Sequence, residues 1–264
     1  MPGIPDRDVE APLRLETHGD VSGSAQDEIE TKLRRLSRRA PRPVRMLKAT
    51  LVKHGDPALE RPNVAMASID VDGRVVRAHV AAAGMGQAIE AVEERLSRRL
   101  DELAERDQDK RHETGRHAAG EWRHGDLPTL HPDFFPRPIE ERRIIRRKSY
   151  AMQPISVDEA IWEMRMLDHD FHLFTNAATG EETVVYRGDD DVLHLRQIAP
   201  TGEAFVDPVL IDATPAPTLD EAGAVAMFDE ADGPLLFFVD ADTGRGTVLY
   251  RRYDGHYGLL LPAS

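Results

Sequence analysis

The sequence predicts an α+β fold in three parts. An N-terminal β-α-β-β-β-α domain (1–108) is followed by a flexible linker (109–147). Two small α+β modules in tandem (148–208 and 209–264) then form a pseudo-dimer. Three observations predict this. Apolar residues switch between strand and helix spacing over the first hundred positions. Prolines and histidines without periodicity interrupt the middle. The phrase TVVYR at 183–187 returns as TVLYR at 247–251.

In chain order, APLRLETH (11–18) alternates as a half-buried strand does. Ser24-Ala25-Gln26-Asp27 fits the capping-box pattern that opens a helix. Ala25, Ile29, Leu33, Leu36 and Ala40 put one apolar stripe on that helix, which Pro41 and Pro43 stop. VRMLKATLV (44–52) and VAMASIDV (64–71) read as strands, and Asp72-Gly73 is a hairpin signal into RVVRAHVA (74–81). A second helix runs from about Gln87 to Arg106, with Ile89, Val92, Leu96, Leu100 and Leu103 inward. Two helices on one face of an antiparallel-rich sheet is the expected layering.

The linker holds Pro128, Pro132, Pro136 and Pro138. The spacing of His112, His117, His124 and His131 matches no helix face and no usual zinc pattern. No metal or cofactor is therefore expected. Trp122, Phe134 and Phe135 suit docking, on a partner or on the chain's own domains. RRIIRRK (142–148) has five basic residues in seven, which fits phosphate contact and balance of nearby acids equally.

The repeat extends beyond its opening phrase. PISVDEA (154–160) aligns with APTLDEA (216–222), each with a capping box, Ser156 to Glu159 and Thr218 to Glu221. FHLFT (171–175) and LLFFV (235–239) are apolar strands, followed by the turns NAATG (176–180) and DADTG (240–244). On this alignment the offset changes from 62 to 64 between helix and strand, one small indel. A module of this size cannot bury enough apolar surface alone. The two are expected to pair with each other within the chain through Phe171, Leu173, Val184 and Tyr186 of the first and Leu235, Phe237, Val248 and Tyr250 of the second.

Charge is distributed unevenly. The net −13 comes entirely from residues 126–264, with 12 basic and 25 acidic residues; residues 1–125 hold 22 of each. Between Glu30 and Lys53 stand nine basic residues and one acid, the electrostatic footprint of a polyanion partner. The plainer alternative is a solvated helix face. With no cysteine, disulfides, thiolate zinc sites and cysteine nucleophiles are excluded, which suits a cytoplasmic protein. No run of eighteen apolar residues suggests a membrane span, and MPGIPDRDVEAPLR lacks the build of a signal peptide. In AAAGMGQAIEA (81–91) the third glycine of a dinucleotide fingerprint would fall on Ile89. Asp189-Asp190-Asp191 falls where a hairpin turn is expected. No serine elbow, HExxH or Walker loop occurs, so the chain is not expected to be an enzyme.

TVLYRRYDGHYGLL resembles the C-terminal signature of long-form bacterial ribosome hibernation promoting factors. KSYAMQPISVDEAIWEMRMLDHDFHLFTNAATGEETVVYR resembles the earlier part of the same domain. TKLRRLSRR and QAIEAVEERLSRRL, on the two N-terminal helices, are similar to the family's ribosome-binding domain. The resemblance covers about 11–108 and 148–262, and the doubled C-terminal unit is similar to the mycobacterial-type, dormancy-associated members. It implies a translation inhibitor with no catalytic activity, seated on the small ribosomal subunit and its rRNA where mRNA and tRNA bind. Ribosomal proteins reached through the linker and C-terminal modules are further candidate partners. The matching basic positions are Lys32, Arg34, Arg35 and Arg38 on the first helix and Arg95, Arg98 and Arg99 on the second; Arg39 and Arg42 extend the same basic run. Two departures stand out. The second helix ends DELAERDQD, where relatives are rich in Lys and Arg, and the first repeat lacks the YDGHYGLL ending. Relatives usually dimerise through this domain and join two ribosomes. If the two modules pair internally, that edge is taken and the expectation is binding to single ribosomes. The competing expectation is an acidic protein–protein adaptor with no rRNA binding.

Overall fold

The computed structural model describes residues 10–56, 59–112, 137–188, 192–200, 205–206, 209–231 and 233–263. The chain divides into two compact units, each described by itself.

The N-terminal unit runs β1 (Leu13–His18), α1 (Gly23–Arg39), β2 (Val44–Lys53), β3 (Asn63–Val71), β4 (Arg74–Ala82) and α2 (Met85–His112). Its four strands lie in the order β1-β2-β3-β4, with β1 parallel to β2 and the other neighbours antiparallel. Leu47, Ile69 and Val76 form one cross-strand row, and Leu51, Ala65 and Val80 another, all buried. Against this face lie Ile29, Leu33 and Leu36 of α1 and Ile89, Val92, Leu96 and Leu103 of α2, also buried. The three- and four-residue spacing of these side chains makes both stripes. The Asp72-Gly73 turn has φ of 53° and 90°, as a type I′ hairpin requires. The cap of α1 differs from the expected one: Ser22, with extended backbone, accepts from the Ala25 amide at 3.3 Å, so the helix opens two residues before Ser24.

The C-terminal unit begins with a short 3-10 turn, Ile139–Glu141, and β5 (Ile144–Tyr150). It continues β6 (Pro154–Ile155), α3 (Val157–Met166), β7 (Phe171–Asn176), β8 (Glu182–Arg187) and β9 (Leu193–Gln197). Then come β10 (Phe205–Val206), β11 (Val209–Ile211), β12 (Thr218–Leu219), α4 (Glu221–Glu230), β13 (Leu235–Asp240), β14 (Gly246–Arg251) and β15 (Tyr257–Pro262).

The predicted linker is therefore shorter. Residues 109–112 continue α2, because DKRH contains no helix breaker. Residues 144–150 form a strand, as the β-branched pair Ile144-Ile145 favours. Residues 113–136, with Trp122, Phe134, Phe135, His117, His124 and His131, lie outside the described residues, as does the Asp189–Asp191 turn.

The two sheets have the orders β10-β11-β9-β8-β7-β6 and β12-β13-β14-β15-β5. The repeat is exact in its offset: β6/β12, α3/α4, β7/β13 and β8/β14 are each separated by 64 positions. The DEA triplets at 158–160 and 220–222, which suggested an indel, are not equivalent. Ser156, whose Oγ accepts from the Glu159 amide at 3.2 Å, corresponds to Asp220, whose carboxylate accepts from the Gly223 amide at 2.7 Å. Thr218 lies in β12 and caps nothing. Ser and Asp are interchangeable as N-caps, which is how the shared triplet misleads.

The strand preceding each module completes the sheet of the other one. β5, ahead of module 1, runs parallel to β15, the last strand of module 2; β11, ahead of module 2, runs parallel to β9, the last strand of module 1. The registers match under the same offset: Arg146 faces Gly258 as Leu210 faces His194.

Within each sheet, alternate residues face opposite ways. Phe174, Val185 and Leu195 pack on Ala160, Ile161 and Met164 of α3; Leu236, Phe238 and Leu249 pack on Ala224 and Phe228 of α4. The other faces meet in a third core, so the unit is layered helix, sheet, sheet, helix. Both faces of every central strand are covered, which is why LLFFV reads as a continuous apolar run.

Candidate nucleic-acid interface and module junction

Helix α1 carries its cations on the two flanks of its buried stripe. Lys32, Arg35 and Arg39 point to α2: Lys32 bonds Glu93 at 2.6 Å, Arg35 also bonds Glu93, and Arg39 reaches Ser97 at 3.5 Å and Asp101 at 3.7 Å. The acceptors Glu93, Ser97 and Asp101 recur every four residues, so the two helices are laced by one polar ladder. On the other flank, Arg34 pairs with Glu30 at 2.8 Å and Glu10 at 3.1 Å, and Arg38 with Glu10 at 3.2 Å. Arg42 forks onto Asp107 at 2.6 and 2.8 Å, and Arg74 shares that buried carboxylate at 3.2 Å.

These contacts rank the predicted cations. Arg35, Arg38 and Arg39 remain largely exposed, with side chains at 65%, 73% and 61%. Such exposed pairs contribute only ~0–1 kcal/mol each and exchange readily for phosphate oxygens. Lys32 and Arg42 are more enclosed and tie elements together. Arg95 donates to the His79 carbonyl at 3.3 Å and Arg99 to the Arg77 carbonyl, so both brace α2 against β4. Arg98 stands 4.0 Å from Glu94. The structure thus brings the α1 cations together on one surface and turns two of the three α2 cations onto the unit's own backbone.

Burial alone would raise the Glu93 carboxyl, but the hydrogen bonds and charges of Lys32 and Arg35 outweigh it and hold it below the usual glutamate range. A depressed carboxyl stabilises the fold above its unfolded value of about 4.3 and loses that contribution as pH falls through the folded value. Acid titration is expected to weaken the N-terminal unit in that window, and Glu93→Gln to remove most of the extra pH dependence below about pH 4.5. Thermal melts of both forms between about pH 3 and 6 check this; identical pH profiles would remove Glu93 from the account.

Sequence reading missed a second cationic row. Arg14 of β1, Lys48 of β2, Ser68 of β3 and Arg77 of β4 are successive cross-strand partners, and the three basic residues are exposed. They share the sheet face opposite the one packed by α1 and α2. The signal was present as strand alternation, but only pairing registers join residues this distant. Arg45, 61% exposed and 2.6 Å from Asp72, adds a further cation at the start of β2.

In the C-terminal unit, the eight residues expected to pair the modules form four cross-strand couples: Phe171 with Tyr186, Leu173 with Val184, Leu235 with Tyr250 and Phe237 with Val248. All eight lie in the core between the two sheets. Phe171 and Tyr250, from different modules, tilt against each other at 5.2 Å.

The YDGHYGLL ending is the seat of the strand that module 2 receives. Tyr257 is fully buried against Phe228, and its hydroxyl donates to Asp229. Arg142, just ahead of β5, donates to the Tyr257 oxygen at 3.2 Å, and the Tyr257 amide donates to the Arg143 carbonyl at 2.9 Å. Burial first, and then the Asp229 carboxylate, push the Tyr257 phenol up. Gly258 is required by its strand neighbour: a Cβ there would lie 2.3 Å from the Tyr250 ring. In module 1 that place belongs to His194, stacked on Tyr186 at 5.3 Å, and β11 is held by Arg196 on Asp212 at 2.8 Å. The first copy lacks the ending because it receives a different strand.

Among the described residues, no group of three or more His, Asp or Glu stands together as a metal site would need, and no helix is long and apolar enough to cross a membrane.

The described chain thus combines an α+β unit with a cation-bearing helix and a tandem of modules in which each sheet takes a strand from ahead of the other module. Residues 139–192 and 211–259 each match the family model described as Sigma 54 modulation/S30EA ribosomal protein C terminus. The chain is 40% identical over 136 residues to the dormancy associated translation inhibitor of Mycobacterium tuberculosis, covering 47% of this chain and 49% of that one. It thus spans about half the length of the curated relatives it matches first. It is 24% identical over 167 residues to the ribosome hibernation promotion factor of a Picosynechococcus strain, covering 63% of this chain and 86% of the relative. Among solved structures, the Thermus thermophilus Protein Y N-terminal domain is similar at 23% identity and a TM-score of 0.28, over 35% of this chain and 94% of that one.

Proposed function

We propose that this chain is a ribosome hibernation factor. Its N-terminal unit binds the small ribosomal subunit at the mRNA and tRNA decoding channel and stops translation under stress or dormancy. It acts in the cytoplasm, without catalysis, and holds single ribosomes without bridging two. The observation that carries the reading is the surface of α1, where Arg35, Arg38 and Arg39 stay exposed in weak, exchangeable pairs. The names of the two relatives, a translation inhibitor and a hibernation promotion factor, support the same reading. Arginine forks suit phosphate oxygens, and binding through them is salt-sensitive. Single-ribosome binding is supported by the core between the two sheets: their apolar faces cover each other and offer nothing to a second copy.

Sedimentation of purified ribosomes with added protein tests this. The protein is expected with small subunits and single ribosomes at low salt and is expected to leave as salt rises. A ribosome-dimer peak would overturn the single-ribosome reading. Absence from every ribosomal fraction would favour the adaptor.

A further inference from the structure

The two modules are related by 64 positions, yet they are not equivalent where they touch. Glu182 and Gly246 occupy the same place in the repeat and contact each other: a Cβ on Gly246 would lie 3.0 Å from the Glu182 Cβ and 2.9 Å from the Phe237 ring. Residues in equivalent positions that meet lie on the pseudo-two-fold axis. There the Glu182 carboxylate, buried to nine-tenths, accepts from the Gly246 amide and from the Arg245 guanidinium. The residue equivalent to Arg245 is Glu181. Module 1 therefore brings Glu-Glu to the axis and module 2 brings Arg-Gly.

We infer that Glu182 is the residue that directs module 1 to module 2 and turns away a second copy of module 1. A like-with-like pair of first modules would set four carboxylates around one axis. It would also set a second glutamate side chain in the place of Gly246, where a Cβ alone would lie 3.0 Å from the Glu182 Cβ. A like-with-like pair of second modules would leave two glycine amides without their acceptor and two arginines facing each other. Only the unlike pair satisfies every group. A two-fold junction is self-complementary by default, so this one break in the repeat's symmetry selects the partner. The short connection between the modules then makes the within-chain pair the favoured one by effective concentration. The inference rests on the module junction and is independent of what the N-terminal unit binds.

Charge exchange in the full-length chain tests it. Glu182→Lys sets Lys against Arg245, and Arg245→Glu sets Glu against Glu182. Each change is expected to lower the closed population on the order of tenfold to a hundredfold. Mixed, the two variants can form two complementary junctions in trans, and light scattering is expected to show a one-to-one dimer; the unchanged chain stays monomeric. The double change within one chain is expected to restore the monomer. Single variants that remain closed, with the unfolding midpoint of the unchanged chain, would overturn the assignment. So would open single variants whose mixture yields no dimer. If the single variants do not fold, the double one decides: recovery supports the assignment and continued unfolding refutes it.

Discussion

Changing Arg35, Arg38 and Arg39 together to glutamate is expected to reduce affinity for purified small ribosomal subunits on the order of a thousandfold. The slope of log affinity against log salt should flatten by about two to three units, close to one per lost phosphate contact. The reasoning starts from the pairs these residues make. All three are more than half exposed, with partners Glu93 and Asp101 on one flank of α1 and Glu10 on the other. Breaking such pairs costs the fold little, so the variant is expected to melt within a few degrees of the unchanged chain. Arg42 is the contrasting control. Its fork onto the buried Asp107 holds the residues before β2 to the end of α2, and Arg74 keeps that carboxylate paired, so Arg42→Ala is expected to destabilise the unit by about 1–3 kcal/mol. If the triple variant binds as before, the interface lies elsewhere, and the row Arg14, Lys48 and Arg77 is the next to change.

The second large effect belongs to the junction of the two sheets. Phe237 is fully buried, pairs with Val248 on its own sheet and faces the other module; its neighbour Phe238 is equally buried but faces α4. Each phenylalanine cut to alanine is expected to cost about 3–5 kcal/mol. The consequences should differ. Phe238→Ala loosens the helix on a sheet that stays paired. Phe237→Ala empties the space between the sheets and frees both modules to seek partners in other chains. Urea titration followed by hydrogen exchange separates the two cases: protection should fall in β7, β8, β13 and β14 for Phe237→Ala, and mainly in α4 for Phe238→Ala. A cost below about 1 kcal/mol for Phe237→Ala would mean that the sheet faces do not hold each other.

How much of this was legible in the sequence depends on the range of the cause. Local causes were read well. The spacing of Ile29, Leu33 and Leu36 set α1, and Asp72-Gly73 set its hairpin, because each needs only near neighbours. The apolar strands of the repeat were legible too, since FHLFT and LLFFV are runs that need cover on both faces. Three things were not. The true offset was hidden because Ser156 and Asp220 cap their helices equally well, while the identical DEA triplets do not correspond. The role of 144–150 was hidden because its partner, β15, stands about a hundred residues away in the chain. The cations of the basic run looked alike in the sequence. What distinguishes Arg38 from Arg42 is a carboxylate at Asp107, and no spacing rule joins them.

The reciprocal strands also set a timetable. At roughly 5–20 residues per second, β5 leaves the ribosome roughly 5–20 s before β15 is made. Module 1 likewise waits for β11 before its sheet is complete. The sheet of module 1 can therefore close once β11 is made, whereas the sheet of module 2 must take up β5 from the far end of the tandem. During that interval β5 is an unpaired strand with Ile145 facing outward, and its flanking Arg146, Arg147 and Lys148 keep it from joining strands of neighbouring nascent chains. Charges of that kind on a waiting edge strand are the ones that discourage pairing with strands of other chains.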